Sequence, residues 1–354
     1  MDISKRTVPG LLAARAAARG DATSLRAPGG RRVSYRRLAE RVAAIGEHLA
    51  GFDIGRTDRV LVPVANTVDS VVAVLGVLSA AVAVPVNPRV TLPELTALVA
   101  KTRPSLVLAP DANSVGATEF IDQPMVLLEN LDTAGRPADP AVRPARPGDP
   151  AVLIGTSGSI ASPRLVALTH EQWLAGARRP VDLFQVDARD RVLNLMPLFH
   201  NHGLNGAVLA TLCAGGEVMC PGDTDLARLA DWLTELRPTW ATGAPTVHAA
   251  MHDAVVAAGP RVRDAVRLRF VRSASAPLPA ELRTGLETVF QAPVVEIWGL
   301  TEAAGQVTAN GLADGERRAG TVGRACHGFE LAVVDEAGDP VPDGTPGEIM
   351  VRGG

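Results

Sequence analysis

Short apolar runs alternate with longer segments of helical periodicity along most of the chain. Residues 58–64 form one such run, which is too short for a helix and typical of a buried strand, and an apolar helix predicted over 69–81 follows it. Similar runs lie at 83–86, 105–109, 125–128, 151–154, 190–196, 217–220, 240–242, 268–271 and 294–297. Because strands that alternate with helices build parallel sheets covered on both faces, this pattern predicts an α/β fold.

Local signals divide the chain further. Thr91 with Glu94 three residues later predicts a capping box at the start of a helix. Residues 132–150, rich in Pro, Ala, Arg and Asp, predict a loop or linker, and 323–352 contains the Gly-Asp and Asp-Gly turns of hairpins. We therefore predict a first α/β lobe over residues 1–170, a second over 171–315, and the start of a β-rich lobe over 316–354. Because the chain stops directly after a strand-like segment, we expect it to be part of a larger protein.

The composition is that of an ordinary globular protein and argues against several classes of function. The chain has 354 residues, 47% of them apolar, and a net charge of −3, so nothing favours nucleic-acid binding. The longest apolar stretch, 70–86, is broken by Pro85, which favours a buried helix and strand over a membrane span. We expect no signal peptide and a cytoplasmic location with reduced thiols at Cys213, Cys220 and Cys326.

A turn rich in glycine and hydroxyl groups follows the apolar run at 151–154. It reads Gly155-Thr156-Ser157-Gly158-Ser159, with Arg164 five residues later. Backbone N–H groups, hydroxyls and a nearby guanidinium together suit an anion such as phosphate. The alternative is a solvated loop between two strands. The spacing of a Walker loop is absent.

Two further turns follow predicted strands, and the carboxyl ends of strands are where α/β sheets bind ligands. The first carries Phe199, His200 and His202, which could either hold a metal or form the wall of a substrate pocket. The second carries Trp298, Thr301 and Glu302. Here a base could stack on the ring and Mg²⁺ could bind the carboxylate, or the ring could simply belong to the core and the acid to a helix N-terminus.

Together, these segments resemble the adenylate-forming superfamily of acyl-CoA synthetases, nonribosomal-peptide adenylation domains and luciferases. The segments that carry the resemblance are 156–166, 196–203, 272–278, 298–302, 320–323 and 343–349, in the family's order and over essentially the whole chain. Phe199-His200-Asn201-His202-Gly203-Leu204 and Thr301-Glu302-Ala303-Ala304-Gly305-Gln306 look most like the oxalate and short-acyl CoA ligase branch. The implied fold is the large N-terminal domain of this superfamily, with two α/β sheet lobes and an incomplete β-barrel-like lobe.

The resemblance implies a role for each matching position. ATP phosphates would contact Thr156, Ser157, Gly158, Ser159 and Arg164. The adenine pocket would comprise Ser275, Ala276, Pro277, Glu296, Trp298 and Gly299. Catalytic roles would fall to Thr301, Glu302 and His200, with Glu302 as the Mg²⁺ ligand. The acyl pocket would include Phe199. Because polar side chains are dense around this turn, we expect His202, Asn205 and Arg272 to be the candidates for meeting a second carboxylate or other polar group.

The implied reaction joins a small carboxylic acid to CoA. The acid and Mg·ATP would give an acyl adenylate and pyrophosphate, and the CoA thiol would then displace AMP. Two alternatives stay open: a non-catalytic relative that binds an acyl group or nucleotide, and an enzyme that loads a carrier protein. Ile160, Ala161 and Arg164 depart from the family's phosphate loop. The family's catalytic Lys has no counterpart, so we expect the isolated chain to be poorly active. The identity of the acid stays open.

Overall fold

In the part of the chain that the structure describes, the β-structure consists of two sheets and a two-stranded ribbon. A computed structural model describes residues 6–131, 144–156, 164–222 and 226–353. The strands are β1 Thr23–Arg26, β2 Arg32–Ser34, β3 Arg59–Pro63, β4 Val82–Val86, β5 Leu106–Ala109, β6 Met125–Leu127, β7 Pro150–Gly155, β8 Leu165–Thr169, β9 Arg191–Asn194, β10 Glu217–Met219, β11 Trp240–Gly243, β12 Phe270–Ser273, β13 Val294–Leu300, β14 Gly305–Ala309, β15 Arg324–Ala325, β16 Phe329–Val334 and β17 Glu348–Gly353.

Helices separate most of the strands from β2 to β13, which confirms the α/β prediction. They are α1 Val8–Arg19, α2 Tyr35–Gly51, α3 Val68–Val77, α4 Leu92–Thr102, α5 His170–Phe184, α6 Asn201–Gly203, α7 Ala210–Ala214, α8 Leu229–Leu236, α9 Pro245–Ala258, α10 Pro260–Ala265 and α11 Ala280–Phe290. A π-helical segment, Leu204–Leu209, joins α6 to α7. Within the described ranges, no helix is long and apolar enough to cross a membrane.

The six-stranded sheet has the order β6-β5-β3-β4-β7-β8. Its strands are parallel except for β7 and β8, which pair as an antiparallel hairpin. Every residue of β4 and nearly every residue of α3 is buried, because these elements lie in the middle of the layers and carry Val and Ala almost throughout. The apolar stretch at 70–86 is therefore a core helix leading into a core strand, as the sequence predicts.

The nine-stranded sheet draws on both ends of the chain. Its order is β15-β14-β13-β12-β11-β9-β10-β1-β2, with parallel pairing from β13 to β1. Leu25 of β1 pairs with Val218 of β10, so a hairpin from the first fifty residues extends a sheet built mostly from residues 191–325. The predicted boundary at residue 170 thus separates β1 and β2 from the sheet that they join. The lobe boundaries remain a prediction.

The predicted β-rich lobe starts as an antiparallel ribbon of β16 and β17. No closed barrel is present in the part of the chain that the structure describes. Leu331, Val333 and Ile349 point to one face of this ribbon, where each is more than one-third exposed.

Capping residues determine where two of the helices begin. The predicted capping box of Thr91 and Glu94 is confirmed at the start of α4. A second box, formed by Thr169 and Gln172, starts α5 directly after β8. In this arrangement the side chains satisfy backbone N–H groups that have no partner within the helix. The second box therefore connects α5 to the hairpin of β7 and β8 without an intervening loop.

Candidate active site

A cavity of about 790 Å³ opens at the carboxyl ends of the parallel strands. Three segments that are distant in sequence form most of its wall, at 196–206, 272–278 and 296–301, and Gly155 contributes from β7. The predicted site residues in this wall are His200, His202, Asn205, Arg272, Ser275, Ala276, Pro277, Glu296, Trp298, Gly299 and Thr301. The topology therefore brings together most of the positions that the resemblance implies, although their individual roles stay predictions.

The predicted phosphate contacts lie on and beyond the hairpin of β7 and β8. The backbone N–H of Thr156 donates to the carbonyl oxygen of Arg164 at 2.9 Å, which extends the antiparallel pairing of the two strands. Ser157, Gly158 and Ser159 fall outside the described residues. Thr156 and Arg164 lie on either side of the predicted phosphate loop, and Gly155, next to Thr156, is part of the cavity wall.

His202 is held between two hydroxyl groups. Its Nδ1 lies 3.0 Å from the Oγ of Ser275, and its Nε2 lies 2.6 Å from the Oγ1 of Thr242. Burial, together with the charge of Arg272, holds the pKa of His202 well below its usual value, so the ring is neutral near pH 7. Both ring nitrogens therefore have protein partners. These two contacts favour the pocket-wall interpretation of this turn. In the described ranges, no group of three or more His, Cys, Asp or Glu side chains could hold a metal ion.

Arg272 places a positive charge deep in the cavity wall. The residue is only 2% exposed. Its Nε donates to the Oε1 of Gln306 at 3.3 Å and its Nη1 to the Oγ1 of Thr242 at 3.2 Å. Burial lowers the pKa of Arg272 to about 10, so the guanidinium remains charged at neutral pH. No Asp or Glu of the described chain forms an ion pair with it, and a buried charge without a counter-charge is unfavourable.

The π-helical segment packs closely against this guanidinium. A Cβ atom at Gly206 would lie 3.2 Å from both Nη1 and Nη2 of Arg272. Single π-helical turns are frequent at functional sites because they shift the direction of side chains within a helix. Asn205, in the same segment, donates its Nδ2 to the carbonyl oxygen of Trp173 at 2.7 Å. Its amide nitrogen therefore anchors α5, and its predicted contact with substrate stays untested.

The predicted adenine pocket forms the other side of the cavity. Trp298 and the buried Glu296 lie on β13, and burial raises the pKa of the Glu296 carboxyl group. A register shift between Trp298 and Gly299 interrupts the pairing of β13 with β14. A Cβ at Gly299 would lie 2.0 Å from the carbonyl oxygen of Gly305, so only glycine fits there. The bulge thus determines the direction of the backbone between Trp298 and the turn at 301–304.

Besides Thr156 and Arg164, the predicted residues Glu302 and Phe199 also lie outside the cavity wall. The carboxylate of Glu302 is exposed, next to Thr301. Phe199 packs against the core, with its ring centroid 4.6 Å from that of His200. Phe199 therefore supports the His200 turn from the side of the core.

The sequence analysis missed Thr242, His248 and Gln306, which surround Arg272. The available signal was the position of Thr242 near the carboxyl end of a parallel strand.

Comparison with known proteins decides the family. The model of the AMP-binding enzyme family matches residues 12–354. The chain belongs to the AMP-binding enzyme family. This confirms the resemblance drawn from the motifs.

Individual members of the AMP-binding family narrow the comparison. A sulfoacetate–CoA ligase from Cupriavidus necator is 31% identical over 363 aligned residues, which cover 98% of this chain and 70% of that enzyme. An oxalate–CoA ligase from Saccharomyces cerevisiae is 32% identical over 209 residues, or 59% of this chain and 37% of that enzyme. The structure of VinN with L-aspartate matches with a TM-score of 0.85 at 25% identity, covering 98% of this chain and 88% of VinN. The chain thus matches only part of each ligase.

Proposed function

We propose that this chain carries the nucleotide- and acid-binding site of an AMP-forming acid–CoA ligase. The observation that carries the proposal is the convergence of three distant segments, at 196–206, 272–278 and 296–301, on one cavity of about 790 Å³. A cavity of this size can enclose an adenylate with a small acyl group. Both curated relatives are named for CoA as the acyl acceptor, which supports CoA over a carrier protein.

The proposed reaction has two steps. An oxygen of the carboxylate attacks the α-phosphorus of ATP and pyrophosphate leaves, and the CoA sulfur then attacks the acyl carbon and AMP leaves. The chain's task is to hold these groups in line and to stabilise developing charge. Trp298 stacks on adenine, Thr301 donates to the α-phosphate, and Thr156 and Arg164 contact the outgoing phosphates. His200 lies in the cavity wall, next to the place where the acyl group and the CoA thiol meet.

The proposed chemistry uses Mg²⁺, and Glu302 is the residue whose surroundings fit that ion. Its exposed carboxylate makes no hydrogen bond or ion pair with any described residue, and it lies next to Thr301 at the cavity. Mg²⁺ keeps several waters and takes its other ligands from phosphate oxygens, so one protein carboxylate is sufficient. When bound, the ion neutralises charge on the ATP phosphates.

The substrate that the cavity favours is a small acid with a second anionic group. Arg272 supports this choice because its guanidinium lacks a carboxylate partner in the described chain and lies in the cavity wall beside Gly206. A second carboxylate or a sulfonate on the acid would supply the missing counter-charge through charge-assisted hydrogen bonds. Sulfoacetate, oxalate and L-aspartate, named for the relatives compared above, each carry two acidic groups.

ATP–pyrophosphate exchange on the full-length natural protein tests the proposed activity. Malonate, succinate and sulfoacetate are compared with propionate and butyrate, and thioester formation is followed after CoA is added. We expect exchange that depends on the acid, followed by acyl-CoA. Mg·ATP binding without exchange by any acid would favour a non-catalytic relative, and the absence of nucleotide binding would overturn the site assignment.

Arg272→Met tests the proposed substrate class with a neutral side chain of similar length. The ligands are two non-hydrolysable acyl-adenylate mimics that differ only in a terminal carboxylate or methyl group. We expect the variant to bind the carboxylate mimic about 10- to 100-fold more weakly, the usual range for a hydrogen bond to a charged group, and to bind the methyl mimic as before. If calorimetry shows that both mimics lose the same affinity, Arg272 supports the shape of the pocket and does not select the second acidic group.

A further inference from the structure

The turn that carries Thr301 and Glu302 is held by α5, which also contributes Gly176 to the cavity wall. The carbonyl oxygen of Thr301 accepts the backbone N–H of Ala304 at 2.9 Å, and Ala304 adopts a positive φ of 55°. A left-handed backbone at a residue with a Cβ is unfavourable and persists only where surrounding contacts enforce it. The contacts that enforce it here come from α5.

Helix α5 meets this turn at two positions one helical turn apart. A Cβ at Gly176 would lie 2.2 Å from the carbonyl oxygen of Ala304, so the helix backbone packs directly on the turn. Arg179 donates from Nη1 to the carbonyl oxygen of Ala303 at 2.6 Å, next to Glu302. These two contacts fix the turn relative to the axis of α5.

Arg179 itself is held by surroundings that leave it no carboxylate. It is half-buried, its Cζ lies 4.4 Å from the ring centroid of Phe329 in β16, and burial lowers its pKa. No Asp or Glu within the described ranges forms an ion pair with it. A planar guanidinium that stacks on a ring while donating to a carbonyl has a more defined orientation than an ammonium group would have.

The same helix follows β8, the strand that leads away from the predicted phosphate loop. Helix α5 starts directly after β8, through the capping box of Thr169 and Gln172, and β8 pairs with β7 up to Gly155. One rigid helix therefore connects the phosphate hairpin with the turn that carries Thr301 and Glu302.

We infer that Arg179 is a positioning residue, which acts through the carbonyl of Ala303 to set Thr301 and Glu302 against the phosphates of Mg·ATP. It touches neither nucleotide nor acid. This role rests on the proposed function, because it requires that the cavity bind Mg·ATP. Its effect is confined to the phosphate end of the nucleotide, since Trp298 and the adenine side are attached through β13.

Calorimetry with Mg·ATP and with adenosine separates positioning from general stability. In Arg179→Ala we expect Mg·ATP to bind about tenfold more weakly, from the loss of a charged hydrogen bond that orders the turn, while adenosine binds as in the natural chain. Arg179→Lys keeps a cationic donor without the planar fork and should recover part of the loss. A merely structural role would lower the affinity for both ligands, or for neither.

Arg269→Ala is the matched control. Arg269 also lies near a Phe ring, 5.8 Å from the centroid of Phe270, and donates to the carbonyl oxygens of Phe184 and Gln185, but it is absent from the cavity wall. Unlike Arg179, it also forms an ion pair with the buried Asp190. We expect its variant to melt at a lower temperature and to bind both ligands normally. If the natural chain binds Mg·ATP and Arg179→Ala binds it equally well, the positioning role is wrong. If the natural chain does not bind Mg·ATP, the proposed function fails first.

Discussion

Arg272 and the side chains around it give the cavity its electrostatic character. The guanidinium is surrounded by neutral groups: Thr242 and Gln306 accept its hydrogen bonds, and His248 lies against its backbone carbonyl. Burial lowers the pKa of His248 to about 4, so this ring adds no positive charge at neutral pH. Among the described residues, the wall therefore presents a single buried cation, and an anionic ligand would stabilise it.

Trp298 provides the test of the adenine side. It lines the cavity on β13, immediately before the bulge at Gly299. We expect Trp298→Ala to weaken AMP binding by about 1–3 kcal/mol, the scale for losing one base–aromatic stacking contact. Trp298→Phe, which keeps a flat ring, should lose much less. Unchanged AMP affinity for the alanine variant in calorimetry would mean that the indole packs in the wall without stacking on the base.

At the scale of elements, the cavity depends on how the β13–β14 hairpin is held. Gly299 allows the two strands to approach, since the carbonyl oxygen of Gly305 occupies the place of a Cβ. Gly176 allows α5 to pack on the turn that follows. Two glycines thus permit close backbone contacts at one end of the cavity, where any side chain would separate the elements.

Gly299→Ala tests this close packing. The added methyl group would force β13 and β14 apart, and overpacking of this kind costs about 1–3 kcal/mol of the free energy of unfolding. We also expect weaker Mg·ATP binding, because the displaced turn carries Thr301. Gly51→Ala is a control at the end of α2, where an added Cβ meets no atom within 4 Å. Denaturant titrations that gave the two variants equal stability would contradict the proposed close contact.

At the scale of the whole molecule, buried histidines make stability depend on pH. Burial lowers the pKa of His170 to about 4, as it does for His248, and holds that of His202 well below its usual value. In the unfolded chain these rings take up protons near pH 6.5. Below that pH the unfolded state binds more protons than the native state, so acid favours unfolding.

We therefore expect constant stability above about pH 7 and a loss between about pH 6.5 and 4, of up to roughly 1.4 kcal/mol per pH unit for each histidine. Urea titrations at pH 7.5, 6 and 5 measure this loss. His170→Gln removes one titrating group, whose Nδ1 accepts the backbone N–H of Val8 at 3.4 Å, and should make the pH dependence shallower. Equal stability at pH 7.5 and 5 would show that these rings charge inside the fold.

The sequence by itself determined the features that have a local physical cause. The alternation of apolar runs and helical periods indicated the α/β class, and the spacing of Thr91 and Glu94 indicated a helix start that the structure confirms. The motifs around His200, Ser275 and Trp298 indicated the family because each is contiguous along the chain. Such signals depend only on residues that are close in sequence, so they can be recognised without any knowledge of tertiary contacts.

Tertiary structure alone decided which distant residues meet. The pairing of β1 with β10 joins positions nearly two hundred residues apart, and nothing in the pattern around Leu25 specifies that partner. The surroundings of Arg272, drawn from β11, α9 and β14, and the contact of Arg179 with the Ala303 carbonyl arise in the same way. Whether a buried arginine has a carboxylate partner depends on the packing of several elements at once, and this charge balance is invisible in a linear sequence.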